Sequence, residues 1–264
     1  KRISLAGDWK YRIGLSLTGF PPAPISPVQS SSYPTVLFNA MVKPWTAFPI
    51  KGVIWYQGEA NVGRPEQYGD LFPALITDWR RQWRSDFPFY FVQLANFMES
   101  KKIQPDSEWA ALREAQTKAL KLDQVGMAVT IDIGLADDIH PKNKQEVGRR
   151  LALVALAGSY GKNVSSSAPV FQNYIIKGNK MELDFGQKQD GFQIKGTTLK
   201  GFTIAGPDRV FYPAEAMVHD GKIILSSTEV PAPLAARYGW ADNPDCNLYG
   251  ENGLPVAPFR TDCW

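Results

Sequence analysis

The chain has only two histidines, so few residues can supply an imidazole base. One of them, His140, follows Asp137 in the spacing Asp-x-x-His. A carboxylate at this spacing can accept a hydrogen bond from Nδ1, which fixes the ring tautomer and stabilises the imidazolium formed during base catalysis. The pair therefore predicts general-base chemistry. A structural interpretation stays open, in which His140 caps a helix beginning at Pro141 while Asp137 and Asp138 favour its dipole.

A second polar stretch brings an amide and a carboxylate together in five residues, Gln57-Gly58-Glu59-Ala60-Asn61. Gly58 lets the backbone turn tightly, because it lacks a side chain. The polar side chains of Gln57, Glu59 and Asn61 then lie where a substrate would bind, or they serve as hydrogen-bonding groups of the loop.

Both stretches follow predicted strands. Apolar runs predict strands over residues 51–56, 87–94 and 125–131, and the first of these is expected to be buried on both faces. Helical spacing follows each strand: one helix behind Pro65, one over 107–121 and one that begins at Pro141. Three strand–helix repeats predict a parallel sheet covered by helices, in which ligands bind beyond the carboxyl ends of the strands. Asp132 directly follows the third strand.

Residue composition and periodicity divide the chain into three predicted regions. Residues 1–33 are interpreted as the end of a β-rich region and a Pro/Ser-rich linker, and residues 34–162 as the strand–helix part. Residues 163–264 lack helical periodicity and carry hairpin signals at Gly178-Asn179 and Asp220-Gly221, so they predict an all-β module.

Composition narrows the class of protein. The 264 residues are 44% hydrophobic and carry a net charge of +3, which excludes a disordered chain and gives no electrostatic footprint for nucleic acid. No apolar run approaches the ~18 residues of a membrane span. Cys246 and Cys263 permit a disulfide, and without a nearby histidine they make a zinc site implausible. No metal or other cofactor is expected.

The C-terminal aromatics Tyr238, Trp240, Tyr249 and Trp264 fit either a sugar-stacking surface or, more often for a β module, its core. A non-catalytic carbohydrate-binding module is therefore an alternative to an enzyme.

A His–carboxylate pair of this kind serves a nucleophile, and no serine here lies in a Gly-x-Ser-x-Gly elbow. Either a nucleophile lies upstream, outside this chain, or the site is not nucleophilic. The chain starts at Lys1 without an initiator Met, which predicts that it is part of a longer protein.

Several motifs together resemble the sialate O-acetylesterase family of SGNH-type carbohydrate esterases. They extend over nearly the whole chain in the expected order: 52–61 (GVIWYQGEAN), 91–97 (FVQLANF), 112–116 (LREAQ), 137–144 (DDIHPKNK), 237–244 (RYGWADNP) and 258–262 (PFRTD). The resemblance implies a flavodoxin-like three-layer α/β/α core, partial in this chain, followed by the all-β C-terminal module. It also implies hydrolysis of acetyl esters on sugars, typically 9-O-acetyl sialic acid, without a metal.

The resemblance assigns roles to individual residues. His140 matches the catalytic histidine and Asp137 the acid, with Asp132 as a second candidate for the acid. Gln57, Gly58 and Glu59 match the element expected to contribute to the oxyanion hole, and Asn61 is a further donor. The motifs do not separate sialic acid from other acetylated glycans such as acetylxylan.

The sequence departs from the family in one respect: the Gly-Gln-Ser-Asn element that carries the nucleophilic serine is absent. The chain thus resembles the C-terminal half of the enzyme, and its expected partners are an O-acetylated sugar and an N-terminal portion carrying the serine. The isolated chain is expected to lack esterase activity and to expose a sheet edge. Acetylated glycans occur outside the cytoplasm, so a periplasmic or secreted location is expected.

Overall fold

A computed structural model describes residues 33–186 and 191–264 of the chain. The strand-like alternation over residues 3–13 and the linker over 20–32 lie outside the described residues. Two compact units divide the chain, Lys1–Ala47 and Phe48–Trp264. The described part of the first unit holds a π-helical turn at Phe38–Val42 and a 3-10 turn at Lys43–Trp45.

The second unit begins with a parallel sheet in the strand order β1-β2-β3. Its strands are β1 (Val53–Trp55), β2 (Phe89–Val92) and β3 (Val125–Ala128). A helix follows each strand: α1 (Pro65–Trp83), α2 (Glu108–Thr117, continued by a 3-10 turn at Lys118–Lys121) and α3 (Lys144–Gly158). The predicted strand–helix repeats and the parallel sheet are confirmed.

Local hydrogen bonding sets where these helices begin. Pro65 opens α1, as its lack of an N–H favours, and the Ser107 hydroxyl caps α2 by accepting from the Ala110 N–H at 3.0 Å. The prediction that α3 begins at Pro141 was wrong by three residues. Oδ1 of Asn143 accepts from the N–H of Glu146 at 3.1 Å, and this cap places the first turn after Asn143.

Helices pack on both faces of the sheet. On one face, aromatic side chains of β2 pack with residues of α1 and α2, among them Phe72, Phe89, Phe91, Trp109 and Leu112. On the other face, β2 and β3 pack against α3 through Tyr90, Val92, Ala128, Leu151 and Val154. The sheet is therefore a rigid base for the loops at its carboxyl edge.

Strand β1 differs from its prediction. It was expected to be buried on both faces, but Ile54 is 71% exposed. The physical reason is that α3 packs beneath β2 and β3, and no described helix reaches the face of β1 that carries Ile54. No described strand pairs with the outer edge of β1 either.

The remainder of the second unit is antiparallel β structure, as predicted. One sheet has the order β4-β5-β10-β9, a second β13-β11-β7-β8, and β12 pairs with β6. The strands are β4 (Asn173–Lys177), β5 (Lys180–Asp184), β6 (Phe192–Ile194), β7 (Phe202–Ala205), β8 (Phe211–Pro213), β9 (Glu215–His219), β10 (Lys222–Ser226), β11 (Ala235–Tyr238), β12 (Leu248–Gly250) and β13 (Phe259–Arg260). Both predicted hairpins form. Asp220 and Gly221, at φ of 49° and 72°, turn β9 into β10.

A buried arginine joins the parallel sheet to the β region. Arg113, on α2, is fully buried, and its guanidinium donates to the carbonyls of Leu94, Ala95, Ala241 and Asp242 at 2.8–2.9 Å. Four carbonyl acceptors replace the water that the cation loses. The two regions thus share one compact unit, and the boundary at residue 162 stays a prediction.

Candidate active site

The first polar loop leaves the carboxyl end of β1 and turns at once. Gly58 has φ of +155°, and a Cβ there would lie 3.2 Å from Nε2 of Gln116 and 3.3 Å from a methyl group of Leu112. A side chain is therefore disfavoured both by the backbone and by the packing. After Gly58 the chain enters a 3-10 turn, Glu59–Asn61, which returns Asn61 to Gln57, where Nε2 of Gln57 donates to Oδ1 of Asn61 at 2.7 Å.

Two groups border this loop. Glu59 is half-buried in the turn, and burial, with a smaller contribution from the Glu59 charge, raises the pKa of Tyr56 to about 12. Nζ of Lys144, the first residue of α3, lies 4.7 Å from the centroid of the Tyr56 ring. Lys144 follows His140 by four residues, so this contact links the first polar loop to the second.

The second polar loop, which runs from the end of β3 to α3, is held against the loop that follows β2. Phe97 and Leu135 form an isolated parallel bridge. Oδ1 of Asn96 accepts from the N–H of Gly134 at 2.7 Å. A Cβ on Gly134 would lie 1.9 Å from the backbone oxygen of Asn96, so only glycine allows this approach. The loops that follow β1, β2 and β3 therefore meet at the carboxyl edge of the sheet.

His140 is much less constrained than Gln57. Its side chain is 88% exposed, and its Nδ1 lies 3.7 Å from Oδ1 of Asp138. The same oxygen accepts from the backbone N–H of His140 at 2.9 Å. Asp137 is exposed and has no hydrogen bond or ion pair with a described residue. The structure thus brings His140 beside Asp138 and leaves Asp137 facing solvent.

Asp132, the second candidate for the acid, lies in a different environment. Its carboxylate makes two hydrogen bonds with Arg150 of α3, at 2.6 and 2.9 Å, and accepts a third from the Tyr249 hydroxyl at 3.2 Å. The side chains of Asp132 and Arg150 are 10% and 5% exposed. Asp132 therefore ties β3, α3 and the β region together, and its oxygens are occupied away from His140.

Other candidate residues are accounted for by packing or exposure. Tyr238 and Tyr249 are core residues, and Trp240 lies near the guanidinium groups of Arg237 and Arg260. Cys246 and Cys263 are free thiols in the structure, so the permitted disulfide is not formed.

The structure also identifies residues that sequence reasoning overlooked. Tyr68 of α1 was not identified from the sequence, and Gln116 was named only within the 112–116 motif, yet both contact Gln57. Lys144 was likewise passed over. The signal that could have found Tyr68 is a hydroxyl at the start of the helix that follows the Gln57 loop.

Within residues 33–186 and 191–264, no group of three or more His, Cys, Asp or Glu side chains is arranged to hold a metal ion. None of the helices described there is both long and apolar enough to cross a membrane.

Comparison with known proteins gives this site a context. A family profile described as "Carbohydrate esterase, sialic acid-specific acetylesterase" matches residues 24–157. Sialate O-acetylesterase of Pongo abelii is 32% identical over 284 residues, which cover 95% of this chain and 54% of the relative. The human sialate O-acetylesterase is 31% identical over 95% of this chain and 54% of its own. The chain spans about half the length of these curated relatives.

A solved structure is also similar: the crystal structure of a novel carbohydrate acetylesterase from Xanthomonas citri aligns at a TM-score of 0.83 with 46% identity. The alignment covers 88% of this chain and 55% of that one. The mixed α/β fold, with its parallel sheet and antiparallel β region, is therefore that of a carbohydrate esterase. The chain belongs to the sialic acid-specific acetylesterase family of carbohydrate esterases.

Proposed function

We propose that this protein removes O-acetyl groups from sugars by serine-type acyl transfer, with the 9-O-acetyl group of sialic acid as its first candidate substrate. The observation that carries the proposal is the meeting of the Gln57 and His140 loops at one sheet edge, where Lys144 lies over Tyr56. Membership of an acetylesterase family supports it.

In the proposed mechanism His140 takes the proton from a serine hydroxyl, and the serine oxygen attacks the acetyl carbonyl. The side-chain amides of Gln57 and Asn61 and the backbone around Gly58 and Glu59 surround the oxygen that becomes negative. His140 then protonates the departing sugar oxygen, and a water molecule hydrolyses the acetyl-enzyme in the reverse sequence of proton transfers. Asp137, three residues before His140, is the proposed acid. The exposed loop must then move its carboxylate to the imidazole when the site is complete.

The serine is proposed to come from a portion of the protein outside this chain. None of the hydrogen bonds of the described residues joins a serine to His140. The uncovered Ile54 and the unpaired outer edge of β1 fit the addition of further strands there. With helices on both faces, such an extended sheet would form the three-layer α/β/α SGNH core. Because acetylated glycans occur outside the cytoplasm, we propose a periplasmic or secreted location.

A broader substrate range is the second candidate. The similar structure from Xanthomonas citri is described as a carbohydrate acetylesterase, without reference to sialic acid, and its identity to this chain is higher than that of the sialate O-acetylesterases. Esterase activity on other acetylated glycans, such as acetylxylan, would satisfy the same site.

The test is a chromogenic acetyl-ester assay of this chain alone and of the chain joined to an N-terminal portion that carries a Gly-Gln-Ser-Asn serine. We expect turnover only for the joined protein, and a panel of 9-O-acetyl sialic acid and acetylxylan then ranks the substrates. Full turnover by the isolated chain would contradict the placement of the nucleophile. An inactive joined protein that still binds sugar would favour a carbohydrate-binding module.

A further inference from the structure

The side chain of Gln57 is held at both ends of its amide group. Nε2 donates one proton to Asn61 Oδ1 at 2.7 Å. The hydroxyl of Tyr68, at the start of α1, lies 3.2 Å from Oε1 of Gln57 and 3.3 Å from its backbone oxygen. A primary amide has two N–H donors, so one proton of Nε2 remains for a ligand. The contacts with Tyr68 and Asn61 fix the direction in which that proton points.

The backbone carbonyl of Gln57 is also contacted by Gln116 of α2, which is fully buried. Nε2 of Gln116 lies 3.2 Å from the Gln57 carbonyl oxygen, and its Oε1 accepts from the Leu94 N–H at 2.9 Å. Gln116 thus fastens the chain beyond β1 to the chain beyond β2, where the sheet's own hydrogen bonds have ended. Gly58 also packs closely against Gln116, which leaves the backbone of this loop little room to move.

We propose that Tyr68 and Gln116 are positioning residues, which hold Gln57 so that its free Nε2 proton is aimed at the developing oxyanion. This inference rests on the proposed function and names the parts of the chain that prepare the site. Preorganised donors stabilise a transition state more than mobile ones, because they do not reorganise during the reaction. Burial raises the pKa of Tyr68 to about 12, so its hydroxyl stays a neutral donor across the pH range of ester hydrolysis.

The alternative is that Tyr68 is a core residue that acts by packing, and that its hydroxyl does not position Gln57. Its ring does stack on Phe72, with centroids 5.3 Å apart. A Tyr68→Phe change keeps that ring and removes only the hydroxyl, so it separates the two roles. Tyr90→Phe is the matched control: Tyr90 is equally buried, its hydroxyl bonds Ser159 at 2.8 Å, and it packs on the other face of the sheet.

The kinetic experiment uses the joined protein, in which this chain is complemented by the serine-bearing portion. We expect Tyr68→Phe to lower kcat about 5- to 20-fold with little change in KM, the effect of one lost neutral hydrogen bond in a preorganised site. Tyr90→Phe should leave kcat unchanged. In a Gln57→Ala background, Tyr68→Phe should lower kcat less than about twofold, because the residue it positions is gone. An equal loss with and without Gln57 would overturn the proposal.

A second measurement does not depend on turnover. In the chain labelled with ¹⁵N-glutamine, the side-chain amide of Gln57, assigned by its loss in Gln57→Ala, should have restricted motion that Tyr68→Phe releases and Tyr90→Phe does not. Unchanged restriction in Tyr68→Phe would overturn the positioning role. If the joined protein is inactive, the proposed function fails, and this comparison still decides whether Tyr68 holds Gln57.

Discussion

The two polar loops at the carboxyl edge of the sheet differ in how firmly they are held. The Gln57 loop has a buried turn at Gly58, and Gln57 is bonded by Tyr68, Gln116 and Asn61. The His140 ring is almost fully exposed, and its nearest carboxylate is 3.7 Å away. The donors proposed for the oxyanion are therefore organised by this chain alone. The imidazole is not, and we expect it to become ordered only when the nucleophile and substrate contact it.

The largest effect should come from the loosely held loop. In the joined protein His140→Ala should lower kcat by about 10⁴-fold or more, because the general base is lost. His219→Ala is the control, since His219 is the other histidine and lies exposed at the end of β9. Steady-state acetyl-ester hydrolysis measures both. A small effect of His140→Ala would remove the base from the proposed mechanism.

The same assay identifies which aspartate of the His140 loop is the catalytic acid. Asp137→Asn should lower kcat by about 10³- to 10⁴-fold, and Asp138→Asn by less than tenfold. The opposite ranking would mean that the observed proximity of Asp138 to His140 is already the catalytic arrangement.

The next substitution tests whether Asp132 contributes to catalysis or only to stability. Asp132→Asn removes one of the two carboxylates that bind the buried Arg150 guanidinium, and Glu146 keeps the other contact. It should lower the free energy of unfolding by about 3 kcal/mol, the low end for a broken buried pair, while the folded protein keeps its kcat within about threefold. Asp245→Asn is the control. It breaks an exposed pair with Lys200 at 2.9 Å, and such pairs contribute about 1 kcal/mol or less.

Urea unfolding and the esterase assay are needed together. A loss of kcat by about 10³-fold at unchanged stability would make Asp132, rather than Asp137, the acid of the mechanism.

The firmly held loop should show a smaller kinetic effect. Gln57→Ala removes one donor to the oxyanion and should lower kcat by about 10²- to 10³-fold with little change in KM. Gln67→Ala, on the exposed side of α1, should leave both constants unchanged. A higher KM for Gln57→Ala, without a change in kcat, would mean that Gln57 binds the sugar and not the transition state.

The difference between the loops also explains what the sequence could predict. Elements were predictable where one signal decided them: β1 from its apolar run, α1 from Pro65 and its apolar spacing, and both hairpins from their turn residues. The exposure of Ile54 was not predictable, because it depends on which helix packs beneath the strand. The start of α3 was missed since the Asn143 side chain, rather than Pro141, makes the cap.

For the site, strand ends predicted which residues come together but not how each is held. Nothing local in the sequence marks Gln116 as a partner of Gln57, because α2 brings it there across 59 positions of chain. Asp132 was a candidate for the acid by position. Its pairing with Arg150 depends on the rotation of α3 about its axis, which periodicity alone does not specify.

The smallest expected effect concerns the first turn of α3, which carries the His140 loop into the helix. Glu146 accepts hydrogen bonds from Arg149 at 2.7 Å and from Arg150 at 2.8 Å. The bonds from Arg149 and then Arg150, against an opposing effect of burial, hold its pKa at about 2, below its ordinary value of 4.5. The unfolded chain therefore binds this proton at a higher pH than the folded one. The stabilisation is complete above pH 4.5 and is lost as the pH falls toward 2.

Glu146→Gln should accordingly flatten the decline of unfolding free energy between pH 5 and pH 2.5, by roughly 1 kcal/mol because solvent screens a partly exposed cluster. Gln145→Ala, at an exposed residue without a titratable group in the same turn of α3, is the control that leaves the slope unchanged. The measurement is urea unfolding at several pH values. A parallel shift at every pH, in place of a change in slope, would mean that Glu146 contributes by packing and not by its charge.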